Sequence, residues 1–184
     1  MRIITGKYRG RHFEVPRSFS ARPTTDFAKE NLFNVLQAYI DFSDGPTALD
    51  LFSGTGSITL ELVSRGCSRV ISVELDARHH RLIKQFLDKL QETAALPVRG
   101  DVFQYVAKCR EQFDFIFADP PYALKDLGSI PTRIFENQLL KDDGILVLEH
   151  GKEYQFDNDP HFIEHRSYGS VNFSFFRAKV QTNE

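Results

Sequence analysis

Asp119-Pro120-Pro121-Tyr122 places a carboxylate, two prolines and a phenol ring in consecutive positions. It follows the apolar run Phe113, Phe115-Ile116-Phe117-Ala118, which reads as a buried parallel strand. Ligands of open α/β sheets bind beyond the carboxyl ends of such strands. The prolines stiffen this tip and remove two backbone donors, while their carbonyls stay able to accept. A fixed pair of acceptors beside an aromatic face suits a flat heterocycle held by its exocyclic amino group.

A second cluster lies upstream. Asp50-Leu51-Phe52-Ser53-Gly54-Thr55-Gly56-Ser57 ends one strand candidate and opens a helical pattern. Gly54 and Gly56 allow a sharp turn and close approach of backbone to a ligand. Thr59 stands where a dinucleotide fingerprint requires a third glycine, and no G-x-x-x-x-G-K-[ST] string is present, so NAD, FAD and P-loop nucleotide sites are disfavoured. Glu74 ends the next strand candidate, where an acid can accept both hydroxyls of a ribose. Asp101 ends the third, where a carboxylate can accept from an adenine amino group. Either acid alone is more often a helix N-cap. Together with the glycine turn they line one edge of adjacent strands and fit an adenosine with a short amino-acid tail, which is S-adenosylmethionine.

These residues need a scaffold that brings strand ends together. From Thr47 onward, strand candidates at 47–52, 69–74, 96–100, 113–118 and 144–149 alternate with helical patterns at about 57–65, 76–91, 103–110 and 126–140. That alternation predicts βαβ units and a doubly wound, mostly parallel sheet. The segments 161–168 and 171–180, joined at Gly169-Ser170, predict an antiparallel hairpin on the sheet edge. Before the sheet, Arg22-Pro23-Thr24-Thr25-Asp26 reads as a helix start, with Phe27, Leu32, Phe33, Leu36 and Ile40 as its apolar face.

A chain of 184 residues, 41% hydrophobic and 26% charged, allows one domain with a sizeable core and a small appendage. No apolar run reaches the roughly 20 residues of a membrane span, and Met1-Arg2-Ile3 does not open a signal peptide. Cys67 and Cys109 lie far apart without metal spacing and read as reduced small hydrophobes of a cytoplasmic protein. His79-His80, between Arg78 and Arg81, reads as solvated surface, and no metal site is expected. The formal charge of −2 conceals a split: residues 1–22 carry a net +5 and the remainder −7. A basic arm on an acidic body is the pattern of a polyanion-binding extension, here a hairpin of 2–5 and 11–15 around Gly6-Lys7-Tyr8-Arg9-Gly10; a solvated tail is the alternative.

The Asp50–Ser57 string, with Glu61 and Ser64-Arg65-Gly66 behind it, resembles motif I of the Rossmann-like class I methyltransferases. Asp119-Pro120-Pro121-Tyr122 resembles their amino-methylating motif IV, which is shared with DNA adenine and glutamine-amide methyltransferases. The opening Met1-Arg2-Ile3-Ile4-Thr5-Gly6-Lys7-Tyr8-Arg9-Gly10-Arg11, with Arg22-Pro23-Thr24-Thr25-Asp26 and Lys29-Glu30, is similar to the RsmD family, which methylates N2 of a guanine in small-subunit ribosomal RNA. The resemblance covers residues 1 to about 150. It implies a seven-stranded Rossmann-like sheet at 23–184 preceded by a basic arm at 1–22. It further implies Arg22, Pro23 and Thr24 over the methionine end of S-adenosylmethionine, and Asp50, Phe52, Gly54 and Gly56 as the cofactor floor. Glu74 would hold the ribose, Asp101 and the backbone of Val102 the adenine, and Asp119, Pro120 and Tyr122 the target base. Arg2, Lys7, Arg9 and Arg11 would dock ribosomal RNA, free or within an assembling subunit, with the protein acting as a monomer. Ser53, Ile58 and Thr59 depart mildly from the family pattern. The rival readings are an amino-methyltransferase for DNA adenine or another RNA, and a catalytically silent RNA-binding protein. An NAD-linked oxidoreductase is disfavoured by Thr59.

Overall fold

The computed structural model describes residues 1–19 and 24–178. Within them, α1 (Asp26–Leu36) is followed by β1 (Thr47–Leu51), α2 (Ser57–Arg65), β2 (Arg69–Glu74), α3 (Ala77–Leu90), β3 (Ala95–Arg99) and α4 (Val102–Lys108). Then come β4 (Phe113–Ala118), α5 (Ile130–Glu136), β5 (Leu140–His150), β6 (Phe162–Tyr168) and β7 (Val171–Arg177). Most boundaries follow the apolar periodicity closely. The helix expected at 126–140 is shorter, because a 3-10 turn at Leu127–Ser129 precedes α5.

The strands form one sheet in the order β3-β2-β1-β4-β5-β7-β6. The ladders among β1 to β5 are parallel, and β7 runs antiparallel to both β5 and β6. The order reverses between β1 and β4, which are hydrogen-bonded neighbours, so the switch point lies between their tips. Alternate strand residues feed opposite faces. Ala48, Val70, Phe115, Phe117, Val147 and Phe173 pack under α1 and α2, while Leu49, Ile71, Ile116, Leu146 and Phe176 pack under α4 and α5. Burial of both faces explains why the strands read as continuous apolar runs. The fold is the expected α/β Rossmann-like sheet with the C-terminal hairpin at its edge.

Helix α1 starts where expected, with Thr25 accepting the Ala28 N–H at 3.1 Å. Its inward stripe is different. Phe27 is 65% exposed, its ring meeting Tyr168 edge-on at 6.2 Å, and Ala28, Lys29, Leu32, Phe33 and Leu36 are buried instead. Phe27 lies about 100° around the helix from Ala28, so it falls outside the face that Ala28, Leu32 and Leu36 define.

Lys29 is fully buried, and its Nζ donates to the Arg2 carbonyl at 2.6 Å and Ser57 Oγ at 3.1 Å, with Glu61 Oε2 at 3.6 Å. Glu61, also fully buried, accepts from the backbone N–H of Ile4 at 2.8 Å and Thr5 at 3.0 Å, and from Arg65 Nε at 2.9 Å. The first residues double back through a single antiparallel bridge, Arg2 with His12, supported by Ile3 N–H to Arg11 O at 3.0 Å and Phe13 N–H to Met1 O at 2.9 Å. Ile3 and Phe13 are buried against Leu60 of α2 and Ile83 and Phe86 of α3. At Gly6 a Cβ would fall 1.9 Å from the Ser64 carbonyl oxygen, so only glycine permits the hairpin to seat on α2.

Candidate active site

Register brings the two clusters together. Leu51 pairs with Val73 on one side and Ala118 on the other, and Glu74 pairs with Arg99. The tips of four adjacent strands therefore share one edge. The Asp119 N–H donates to the Leu51 carbonyl at 3.3 Å, which sets the Asp-Pro-Pro-Tyr tip directly beside the glycine bend.

The bend is folded back onto β2 by Ser53, whose N–H and Oγ both donate to the Val73 carbonyl region, at 3.1 and 3.2 Å, with Oγ also 2.8 Å from Asp50 O. Phe52 at φ 58° is held in the left-handed region, a conformation that non-glycine residues adopt at a cost and that clusters at functional sites. Gly56 has φ 83°, and a Cβ there would sit 2.8 Å from Ile83 Cγ1, so its glycine is required by both the backbone and the packing of α3. The Phe52 ring meets Phe103 edge-on at 6.4 Å, and the Arg133 guanidinium lies over Phe103 at 4.6 Å.

Two buried carboxyls converge on this bend. Glu74 accepts the Gly54 N–H at 2.7 Å and the Asp76 N–H at 2.8 Å. Asp50 accepts the Thr59 hydroxyl at 2.5 Å. Desolvation pushes the Asp50 carboxyl up to about 7; the Thr59 hydrogen bond opposes that rise and the Glu74 charge adds to it. Among the described residues neither acid is paired with a lysine or arginine. Glu74 is not an N-cap, because Asp76 caps α3. Asp101 is an N-cap, accepting the Gln104 N–H at 2.9 Å, and Val102 opens α4 buried.

At the other tip, the Pro121 carbonyl accepts from Leu124 N–H at 2.8 Å, closing a turn. Among the described residues no group donates to the Pro120 carbonyl. Tyr122 is half-buried and its hydroxyl donates to Glu149 Oε1 at 3.0 Å. Glu149, buried at the end of β5, was not expected from the sequence. Its signal is an acid closing the apolar run Ile145-Leu146-Val147-Leu148, the same pattern that marks Glu74.

The other expected residues are distributed as follows. Thr24 is half-buried just before the α1 cap, while Arg22 and Pro23 lie outside the described residues. In the arm, Lys7 pairs with Glu92 at 2.7 Å and Arg2 with Asp26 at 3.3 Å. Arg9 and Arg11 are exposed, with no ion pair among the described residues. His79 corrects the surface reading: it is 8% exposed, stacked on Phe19 at 5.0 Å, with Nδ1 3.8 Å from Glu74 Oε1. It falls on the inner face of α3 with Leu82, Ile83 and Phe86, which the flanking arginines obscured. Cys67 and Cys109 are free and buried. No helix of the described residues is long and apolar enough to cross a membrane.

Known proteins share this arrangement. The family model described as "Conserved hypothetical protein 95" matches residues 1–177. The Bacillus subtilis (strain 168) protein named "Putative rRNA methyltransferase YlbH" is 34% identical over 186 residues, 97% of this chain and 100% of that one. "Ribosomal RNA small subunit methyltransferase D" of Escherichia coli (strain K12) is 32% identical over 181 residues, 98% of this chain and 84% of the relative. A solved structure of a hypothetical protein from Thermus thermophilus has a TM-score of 0.84 at 29% identity, covering 97% of this chain and 99% of that one. The matches extend through the N-terminal arm as well as the sheet that carries the two clusters, and on that breadth the chain belongs to the conserved hypothetical protein 95 family, the RsmD-type methyltransferases with a Rossmann-like fold.

Proposed function

We propose that this protein transfers a methyl group from S-adenosylmethionine to the exocyclic N2 of a guanine in small-subunit ribosomal RNA. The observation that carries the reading is the Asp119 N–H to Leu51 O hydrogen bond, which seats a proline-braced acceptor pair beside a glycine bend lined by two buried carboxyls. The names of the relatives supply the RNA part of the reading.

The bend fits a cationic adenosine derivative. Asp50 and Glu74 are buried carboxyls with no lysine or arginine partner among the described residues, and a positive ligand group satisfies that environment. Glu74 keeps lone pairs for ribose hydroxyls, and Asp101 with the Val102 N–H at the start of α4 faces the adenine edge. Leu75, 63% exposed beside Glu74, offers an apolar platform for the purine. Thr24, just before the α1 cap, covers the methionine end. When bound, S-adenosylmethionine supplies a methyl group activated by its sulfonium.

A guanine amino group is a poor nucleophile because its lone pair is delocalised into the ring. The Asp119 carboxylate and the Pro120 carbonyl each accept one of its N–H bonds, aiming the lone pair and stabilising positive charge on nitrogen as the new bond forms. Tyr122, steadied by Glu149, stacks on the base, which favours an unpaired or flipped guanine. Arg9 and Arg11 of the 1–22 arm supply phosphate contacts. The chain acts as a monomer in the cytoplasm, on small-subunit RNA that is free or within an assembled or assembling subunit.

The test is methyl transfer from labelled S-adenosylmethionine to small-subunit RNA and to subunits, with nucleoside analysis of the product. N2-methylguanosine is expected, and Asp119→Ala should lose about 10²-fold or more in rate with cofactor affinity retained. A methylated adenine, or unchanged turnover in Asp119→Ala, overturns the reading.

A further inference from the structure

The C-terminal hairpin plays no part in the chemistry above, yet it walls a groove on the same sheet edge. The groove has a volume of about 330 Å³ and is lined by Lys152, Tyr154, Phe156, His165, Asn172 and Ser174 among others. That volume is at the small end of ligand pockets.

Its hydrogen-bonding character is set from beneath. His150 is fully buried, with Nδ1 2.7 Å from the Gly151 carbonyl and Nε2 2.7 Å from Ser174 Oγ. A carbonyl can only accept, so Nδ1 carries the proton. Burial holds His150 below its ordinary pKa, so the ring is neutral and Nε2 accepts the Ser174 hydroxyl proton. Ser174 is left with oxygen lone pairs, an acceptor at the groove floor. Asn172, two residues earlier on the same face of β7, turns Oδ1 toward Ser167 Oγ at 2.7 Å and His165 Nε2 at 3.2 Å. Among the described residues its amide nitrogen has a single long contact, 3.5 Å to the Ser170 carbonyl, so it remains a donor. A donor and an acceptor therefore sit side by side next to the aromatic rings of Tyr154 and Phe156. That combination matches the edge and the face of a nucleobase. A phosphate would want more than Lys152, the groove's one lysine or arginine among the described residues, which shares it with Asp157.

The groove borders the loop that follows the acceptor tip, through Gly128 and Tyr154. Ala118 pairs with Leu148, and two positions beyond Leu148 His150 pairs with Asn172. Two strand spacings separate β4 from β7, roughly 10 Å. The loop after Tyr122 rests on the groove wall, since a Cβ at Gly128 would lie 3.5 Å from Tyr154 Cε1.

We propose that this groove binds an unpaired base of the substrate RNA flanking the guanine presented to Asp119, which makes the C-terminal hairpin a specificity element. This rests on the RNA-methyltransferase reading above. The full chain is tested by steady-state methylation of the same RNA with Asn172→Ala and, because Asn172 is buried, also with the exposed His165→Ala, thermal midpoints being measured alongside. The KM for RNA should rise about fivefold to tenfold in either variant, with a smaller change in kcat and no change in S-adenosylmethionine affinity. RNA carrying photoreactive base analogues next to the modified guanine should crosslink to the peptide spanning 152–174. Normal RNA KM values in folded variants, with no crosslink to that peptide, overturn the groove while leaving the reaction intact. A wild-type chain that methylates neither the RNA nor the subunit overturns both.

Discussion

Burial raises the Asp50 carboxyl to about 7 from an ordinary value near 3.8. Between those values the folded state holds a proton that the unfolded chain has released. Stability contributed by Asp50 is therefore full below about pH 4, falls by up to about 1.4 kcal/mol per pH unit, and levels off above about pH 7. Asp50→Asn should flatten the decline in denaturation midpoint between pH 5 and pH 7.5, and binding of a cationic ligand to the wild type near pH 7 should release protons, measurable by calorimetry in buffers of different ionisation enthalpy. Tyr122 separates two roles. Tyr122→Ala should weaken RNA binding by roughly 1–3 kcal/mol through lost stacking. Tyr122→Phe keeps the ring and loses the hydrogen bond to Glu149, so its effect on RNA affinity should be much smaller. At this scale Asp119, Glu74 and Asp101 could be picked out because each closes a strand-like run, and Gly54 because it pairs with Gly56 in the turn beyond one. Lys29 and His79 could not, since a charged or titratable residue reads as surface until its partners are known.

The arm and α2 act as one element because of Glu61. Its carboxylate takes two arm amides and one arginine, and it faces the buried Lys29 ammonium, whose pKa is lowered mainly by desolvation and supported by Glu61. Glu61→Ala leaves that ammonium and the two N–H groups uncompensated, and should cost about 3–5 kcal/mol. Hydrogen exchange should then accelerate at Ile4 and Thr5 well before the β1 and β4 amides are affected. Ser57, which Lys29 also contacts, opens the helix behind the glycine bend, so the same network links the arm to the proposed cofactor loop. Helix and strand positions were readable from apolar periodicity because burial on both sheet faces leaves few polar interruptions. The rotation of α1 was not: Phe27 and Ala28 are equally apolar neighbours, and packing against α2 and β7 selects between them.

Across the whole molecule, the charge split sets a basic arm against an acidic body, but within the arm Lys7 and Arg2 are already paired to acids of the body. The RNA docking proposed above would then rest on Arg9 and Arg11. Reversing both to glutamate should weaken RNA binding and make its dependence on log salt shallower by about 1.5, from roughly 0.7–0.9 per phosphate contact. Affinity for S-adenosylmethionine should stay unchanged. Local patterns were enough to specify the strand–helix alternation, the glycine bend and the rigid acidic tip, because propensity, burial period and proline geometry act within a few residues. Strand order, the meeting of Glu149 with Tyr122, and the groove behind His150 arise from contacts between segments distant in the chain. Those depend on which strands pair and in what register, a cooperative outcome that no short window of residues contains.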